Sequence, residues 1–248
     1  MFHTPISSPT SAWLSDPQTF AVNRLPAHSA HRTNAPTQSL DGTWEVAVTS
    51  SSRVALDSPT ITFDQEAVHS LPVPSTLEAE GLWPPAYVNI QMPWDGHENP
   101  QAPKPPEECR VALYRRTFAL HDSLQESLGK QGHVRLRFEG FATALYVWVD
   151  GTFVGYCEDG YTASEFDITS ALTHSQDHEI VVACYEHSSA SWLEGQDSWR
   201  FHGIFRSVSL VALPACHVAH LAANADYDAD SGMGILNVTV DLKGTKAD

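Results

Sequence analysis

Short apolar runs recur along most of the chain, and helical periodicity is almost absent. Each run spans about four to nine residues and is rich in β-branched and aromatic side chains, as in a β-strand. Eight such runs predict an all-β fold, and eight strands are typical of a jelly-roll β-sandwich. The predicted strands are Thr43–Val48, Thr60–Phe63, Ala112–Phe118, Val134–Phe138, Ala144–Val149, Thr152–Tyr156, Glu179–Tyr185 and Phe205–Leu213.

The sharpest local pattern is the stretch LYVWVDGTFVGY. Asp150 and Gly151 stand between two apolar runs, and Asp-Gly is a preferred pair for the two positive φ angles of a type I′ turn. The sequence therefore predicts a tight β-hairpin here.

Three other segments differ from this strand pattern. Residues 82–108 contain seven prolines and few aliphatic residues, which predicts an extended loop, and its aromatic residues favour an ordered one. Residues 1–38 have only isolated apolar residues and are interpreted as an arm that packs on a neighbour. After Pro214, two further strands are predicted at His217–Asp226 and Gly234–Leu242, joined by a turn. The predicted organisation is an arm at 1–38, a sandwich at 39–214 and the start of a second unit at 215–248.

Charge and composition exclude several classes of partner. The net charge is −16, so the surface should repel nucleic acid and anionic membranes. The longest strongly apolar run, Ala144–Val149, is far shorter than the roughly 20 residues of a membrane helix. The first 20 residues have neither the charged nor the apolar region of a signal peptide. We therefore expect a cytoplasmic protein without nucleic-acid or membrane partners.

The cysteines and histidines give little support for a metal centre. Four scattered cysteines without a CxxC spacing are expected to be reduced thiols. The closest histidine pairs, His28 with His31 and His217 with His220, have no cysteine or carboxylate framework for zinc.

Polar, aromatic and glycine positions are most densely combined in WLEGQDSWRFHGIFRSV, residues 192–208. Its acidic and amide side chains can accept hydrogen bonds from hydroxyl groups, its indole rings offer flat faces, and its glycines permit unusual backbone angles. These are the ingredients of carbohydrate recognition. The residues concerned are Trp192, Glu194, Gly195, Gln196, Asp197, Trp199 and Gly203.

This stretch resembles the end of the N-terminal sugar-binding domain of β-galactosidases in glycoside hydrolase family 2, where Gln-Asp-x-Trp-Arg-x-x-Gly-Ile-Phe-Arg recurs. Four further segments resemble family motifs in the expected order, with Met92 in place of the usual Tyr of the second. β-Glucuronidases usually lack the Gln-Asp-x-Trp part, which favours a galactosidase. The four segments are Val73–Ser75, Tyr87–Pro93, Gly151–Tyr156 and Ser164–Ile168.

The resemblance implies a galactose-binding-domain-like jelly roll followed by an incomplete immunoglobulin-like sandwich. It implies that Asp197 contacts galactose and helps to hold a sodium ion, and that Asn89 contacts galactose hydroxyls. The catalytic glutamates belong to a TIM barrel of about 250 residues, for which this chain has no room, so no catalytic residue is expected here and magnesium is expected only in that barrel. The implied activity is hydrolysis of terminal β-D-galactosides such as lactose, by a homo-oligomer or with a complementing fragment. The chain alone is expected to be inactive.

The residues alone leave alternatives open. Asp197 could cap a backbone amide or pair with Arg200, and Asn89 could form an Asx turn. Trp44, Trp148 and Trp199 are interpreted as core residues rather than sugar platforms.

The acidic pairs are rejected as a catalytic dyad. The pairs considered are Glu165 with Asp167 and Glu194 with Asp197. Retaining hydrolysis needs two carboxyl groups about 5–5.5 Å apart that flank a deep cleft, and Glu165 and Asp167 are expected to point to opposite faces of a strand. The chain could also be a free-standing carbohydrate-binding or subunit-interaction module. Its continuation past Leu213 into an unfinished unit favours the galactosidase.

Overall fold

The computed structural model describes residues 6, 8–28, 33–56, 68–92, 94–96, 98–172 and 176–244. The strand predicted at Thr60–Phe63 and the residue His31 lie outside these ranges.

Strands account for most of the regular structure. The strands are β1 Ala21–Val22, β2 Thr37–Ser39, β3 Gly42–Ser50, β4 Val68–Val73, β5 Ala86–Val88, β6 Arg110–Ala119, β7 His133–Phe138, β8 Ala144–Val149, β9 Thr152–Cys157, β10 Ser164–Asp167, β11 Asp177–Tyr185, β12 Ser198–Arg200, β13 Val208–Leu213, β14 His217–Asp228 and β15 Met233–Lys243. The α-helices are α1 Asp122–Gly129 and α2 Ser191–Glu194, and short 3₁₀ turns lie at Ser11–Ser15 and Ser51–Arg53.

Two antiparallel sheets form the body of the molecule. Within the described residues, one sheet has seven strands in the order β1-β9-β8-β11-β6-β3-β4, and the other has four in the order β10-β7-β13-β2. A single apolar cluster joins the facing sides of the two sheets, with Tyr114 and Val182 from the larger sheet and Phe138, Phe166 and Leu210 from the smaller one. The all-β sandwich is therefore confirmed.

The larger sheet is covered on its other face as well. Trp13 and Leu14 of the arm pack there, and the Trp13 ring lies 6.0 Å from that of Tyr146. The Tyr146 hydroxyl donates to the carbonyl of Thr10 at 2.9 Å. Burial on both faces explains why every residue of β8 is apolar and buried.

The hairpin of β8 and β9 has the predicted turn. Asp150 and Gly151 have φ angles of 47° and 74°, and Val149 pairs with Thr152. Positive φ at both central residues is the type I′ geometry.

Sequence reasoning missed several elements, among them the six-residue strand β4 and the shorter strands β1, β2, β10 and β12. Inside the proline-rich stretch predicted as an extended loop lies β5, which pairs with β12, and the helix α1 was also missed. The last strand of the sandwich, β13, begins at Val208 rather than Phe205. The remaining predicted strands are present in the described residues, with ends that differ by at most two residues.

The expectation for Glu165 and Asp167 was wrong. Both face the β7 side chains: Glu165 accepts from Arg135 and Arg137 at 3.1 and 2.9 Å, and Asp167 lies 3.1 Å from His133 Nδ1. Residues two apart in a strand share a face, so the two carboxylates lie on one side. Each is engaged by basic groups in a structural network, which still excludes them as a catalytic pair.

Beyond the sandwich, β14 and β15 form a separate two-stranded hairpin whose side chains are mostly exposed. The immunoglobulin-like assignment and the domain boundaries stay predictions. Every helix in the described part of the chain is too short or too polar to cross a bilayer, and the cytoplasmic location stays a prediction.

The four cysteines are free thiols, as expected, and three are buried. Burial raises the pKa of Cys157 and Cys184 to about 12, so these thiols are unreactive near neutral pH.

Candidate functional site

The two predicted site residues come together at one end of a small ribbon formed by β5 and β12. In this antiparallel ladder Val88 pairs with Ser198. Asn89 directly follows Val88, and Asp197 directly precedes Ser198, so both residues flank the same end of the ladder. Segments that are about 110 residues apart in sequence thus bring both predicted residues to one place.

Asp197 is held by a neighbour that the sequence analysis did not select. The Tyr87 hydroxyl donates to Asp197 Oδ1 at 2.6 Å, and this bond raises the pKa of Tyr87, because ionising the phenol would remove the donor. Tyr87 belongs to the Tyr-x-Asn motif quoted above, so the signal for it was present in the sequence.

Arg200 does not pair with Asp197. Its guanidinium donates instead to the carbonyl oxygens of Glu194 and Gln196, at 2.7 and 2.8 Å. Neither of the structural roles considered for Asp197, a backbone cap or an Arg200 partner, is found among the described residues.

Asn89 makes a local contact. Its Oδ1 accepts from the backbone amide of the next residue, Ile90, at 2.6 Å. An Asx turn would use the amide two residues on, so the turn considered as the alternative is not found among the described residues. The following residue, Ile90, is 92% exposed, so this end of the ribbon faces solvent. A contact between Asn89 and a sugar stays a prediction.

The interpretation of Trp199 as a core residue was wrong, whereas Trp44 and Trp148 are buried as predicted. Trp199 is 55% exposed, and its ring lies 5.6 Å from that of Tyr87, which is 54% exposed. A two-stranded ribbon has no second layer to cover its aromatic residues. The pair therefore forms an apolar surface beside Asp197.

Beneath the ribbon lies a small polar cavity of about 60 Å³. Glu194 lines it, and burial raises the pKa of this carboxyl group, assisted by the negative charges of Glu158 and Asp159. Gly195, next along the chain, has φ −65° and ψ 54°, which lies outside the helical and extended regions but not in the left-handed region that favours glycine. Gly203 has a φ of +104°, as expected for a glycine-dependent position.

Buried polar pairs fix the segments that carry the ribbon. Glu78 accepts from the backbone amide of His202 at 2.9 Å and lies 2.7 Å from its Nδ1. Glu158 accepts from the amide of Ala190 at 2.9 Å and from the hydroxyl of Ser189 at 3.2 Å, just before α2. Sequence reasoning missed these groups because nothing in the sequence distinguishes a buried carboxylate from an exposed one.

These buried residues (Glu78, His202, Glu158 and Ser189) form a buried layer under the ribbon. His187 belongs to this layer, with its ring 6.4 Å from that of His202. Burial lowers the pKa of His187 to about 4, and the neighbouring Glu186 only partly opposes this shift. The imidazole is therefore neutral at pH 7.

The site fits the predicted sodium ion only in part. Asp197 supplies a charged oxygen ligand of the hard type that sodium prefers. No group of three or more His, Cys, Asp or Glu side chains in the described part of the chain could hold a metal ion. The remaining oxygen ligands would have to come from elsewhere.

The chain matches the family "Glycosyl hydrolases family 2, sugar binding domain" over residues 37–214. It is 49% identical over 242 residues to the β-galactosidase BgaC of Bifidobacterium adolescentis, covering 91% of this chain and 23% of the relative. It is 39% identical to a β-galactosidase of Streptococcus thermophilus, covering 95% and 24%. A β-galactosidase large subunit of Lactobacillus helveticus is 35% identical, with 95% and 40% covered. The chain thus spans about a quarter to two fifths of the length of these curated relatives.

Solved structures show the same fold. A β-glycosidase from Bacteroides vulgatus superimposes with a TM-score of 0.58 at 16% identity, covering 85% of this chain and 24% of that one. A β-glucuronidase from Bacteroides uniformis gives 0.54 at 20% identity, covering 77% and 20%. At these identities the likeness concerns the fold alone. The family match extends over most of the chain and includes both segments of the ribbon, and the chain therefore belongs to glycosyl hydrolase family 2, whose sugar-binding domain it contains.

Proposed function

We propose that this chain is the N-terminal part of a β-galactosidase that hydrolyses terminal β-D-galactosides such as lactose. In this role it binds the galactosyl group through Asp197 and Asn89. The general acid/base and the nucleophile are supplied by a catalytic barrel outside residues 1–248. The observation that carries the proposal is the register of the β5–β12 ribbon, which brings Asn89 and Asp197 to one solvent-facing end.

The chemistry of that end suits a sugar. An ionised carboxylate accepts charge-assisted hydrogen bonds from hydroxyl groups. The exposed rings of Trp199 and Tyr87 offer an apolar surface to the C–H face of a pyranose. Binding at a distance from the reacting bond accelerates the reaction when it holds the substrate in a productive orientation.

Sodium belongs to the same proposal. Asp197 would be its ligand from this chain, and the ion would supply a positive charge beside the carboxylate. Magnesium would act only in the barrel.

Assembly is also part of the proposal. The complete enzyme would be a homo-oligomer, or it would form from two complementing chains. The relatives named as large subunits, from Lactobacillus helveticus and Leuconostoc lactis, support the second form.

The test uses a chimera in which this chain replaces the matching region of the Bifidobacterium adolescentis relative. Asp197→Asn keeps the shape of the side chain and removes its charge, so kcat/KM for a nitrophenyl galactoside should fall about 10²-fold or more. The activation by sodium should weaken, and the melting temperature should change little. The matched control is Asp230→Asn, in the exposed turn between β14 and β15, which should leave kinetics unchanged.

Normal kinetics with a lowered melting temperature would show that Asp197 is structural. The 248-residue chain alone should neither hydrolyse galactosides nor bind galactose measurably, because a few hydrogen bonds of about 0.5–1.5 kcal/mol each do not offset the cost of immobilising a ligand. Micromolar galactose binding by calorimetry would instead favour a free-standing carbohydrate-binding module.

A further inference from the structure

We infer that Tyr87 is a positioning residue for Asp197. The hydrogen bond from Tyr87 determines which carboxylate oxygen of Asp197 faces the sugar and the cation. This inference rests on the proposed function of Asp197. Tyr87 itself is not expected to take part in the chemistry.

The hydrogen bond is suited to this role. At 2.6 Å, the contact from Tyr87 Oη to Asp197 Oδ1 has the short distance of a charge-assisted O–H···O⁻ bond. No second donor reaches the Asp197 side chain among the described residues. A carboxylate on an exposed loop otherwise rotates freely, so this one bond fixes its rotation.

The donor is itself held in place by the ribbon. Tyr87 pairs with Trp199 in the β5–β12 ladder, and the rings of the two residues are in contact. The segment before Asp197 is braced separately, through the bonds from Arg200 to the carbonyls of Glu194 and Gln196. Both partners of the hydrogen bond are thus fixed through the backbone.

The donor carries no charge, and this affects what Asp197 can bind. An arginine partner would occupy both carboxylate oxygens and neutralise them. Tyr87 engages Oδ1 and leaves the negative charge of Asp197 uncompensated, with Oδ2 available. That arrangement suits a group that has to accept sugar hydroxyls and bind a monovalent cation.

The first test is Tyr87→Phe in the active chimera, which removes one oxygen atom and keeps the ring. We expect KM for nitrophenyl galactoside and the half-saturating sodium concentration each to rise about tenfold, while kcat changes less than about threefold. A merely structural role would lower the melting temperature without separating KM from kcat. The matched control is Tyr227→Phe, an exposed tyrosine at the end of β14.

The second test combines the variants. If Tyr87 acts through Asp197, Tyr87→Phe should have almost no further effect in the Asp197→Asn background, because coupled residues are not additive. Additive losses would overturn the inference. So would wild-type kinetics for Tyr87→Phe beside a large loss for Asp197→Asn, which would leave the proposed function intact.

The third test does not depend on activity. In the 248-residue chain labelled with ¹³Cζ-tyrosine, the resonance that is missing in Tyr87→Phe belongs to Tyr87. At fixed neutral pH it should shift in Asp197→Asn and stay in place in Asp230→Asn. An unmoved resonance would overturn the inference whatever the kinetics show. A shifted resonance with unchanged Asp197→Asn kinetics would overturn the proposed function, and with it the role of Tyr87 in binding.

Discussion

The sandwich and the β5–β12 ribbon are opposite kinds of β-structure in one chain. The sandwich buries its aromatic residues between and behind two sheets, so that Trp44 is 1% exposed. The ribbon has three residues in each strand and leaves Trp199 more than half exposed. Isolated two-stranded ribbons are marginal in water. The proposed binding groups therefore lie on an element that contributes little to the stability of the fold.

Buried polar contacts with the sandwich hold the ribbon in position, because the ribbon has little packing of its own. Glu78 and His202 form a buried pair where the chain leaves β12, and Glu158 holds the chain before α2. These contacts connect the ribbon to the sandwich. The sandwich therefore supplies stability and positions the ribbon, and the ribbon carries the proposed binding groups.

Replacing a tryptophan by alanine in each region should lower the free energy of unfolding by very different amounts. Trp44→Ala should lower the free energy of unfolding by about 3–5 kcal/mol, because it leaves a cavity in a close-packed core. It also leaves the carbonyl of Leu40 without the indole donor at 2.8 Å. Urea unfolding followed by circular dichroism measures the loss. A cost below about 1 kcal/mol would show that the sandwich does not have a tightly packed core at this position.

An intermediate effect is expected from the buried layer under the ribbon. The pKa of His187 is about 4 in the folded chain and 6.5 in the unfolded one. Between these values the unfolded chain binds a proton that the folded chain does not, so the stability contributed by His187 is present above pH 6.5 and is lost as the pH falls towards 4. The loss amounts to at most about 3 kcal/mol.

Glu158 has the opposite effect, since burial raises its pKa and favours the folded state on acidification. The effect of His187 is therefore measured as the difference between the wild type and His187→Gln. The urea midpoint of each is determined at pH 7, 6, 5 and 4. The variant should lose less stability than the wild type over this interval. The control is His121→Gln, at an exposed position before α1. Parallel curves for wild type and His187→Gln would disprove the assignment.

The same contrast explains how much could be predicted. The long strands of the sandwich bury one or both faces, and burial requires apolar, β-branched sequences such as Ala144–Val149 that can be recognised locally. The segments Ala86–Val88 and Ser198–Arg200 are too short for a pattern, and their pairing joins distant parts of the chain. Asn89 and Asp197 are predicted from family motifs and their role stays a prediction, whereas the buried partners Glu78 and Glu158 have no local signal.

Trp199 was misinterpreted because an aromatic residue in a strand is usually buried, and only the absence of a covering layer makes this one an exception. The smallest effect on stability is accordingly expected from Trp199→Ala. A cross-strand aromatic pair contributes about 0.2–1 kcal/mol relative to alanine, so the free energy of unfolding should fall by no more than about 1 kcal/mol.

In the chimera, the same variant should raise KM for galactosides, because it removes the ring that packs on Tyr87 and forms the apolar surface beside Asp197. Trp199→Phe keeps an aromatic face and should recover most of the affinity. Urea unfolding and KM measured on one preparation separate the two contributions. A stability loss as large as that of Trp44→Ala would mean that the ribbon is part of the core, and the division between a stabilising sandwich and a binding ribbon would then be wrong.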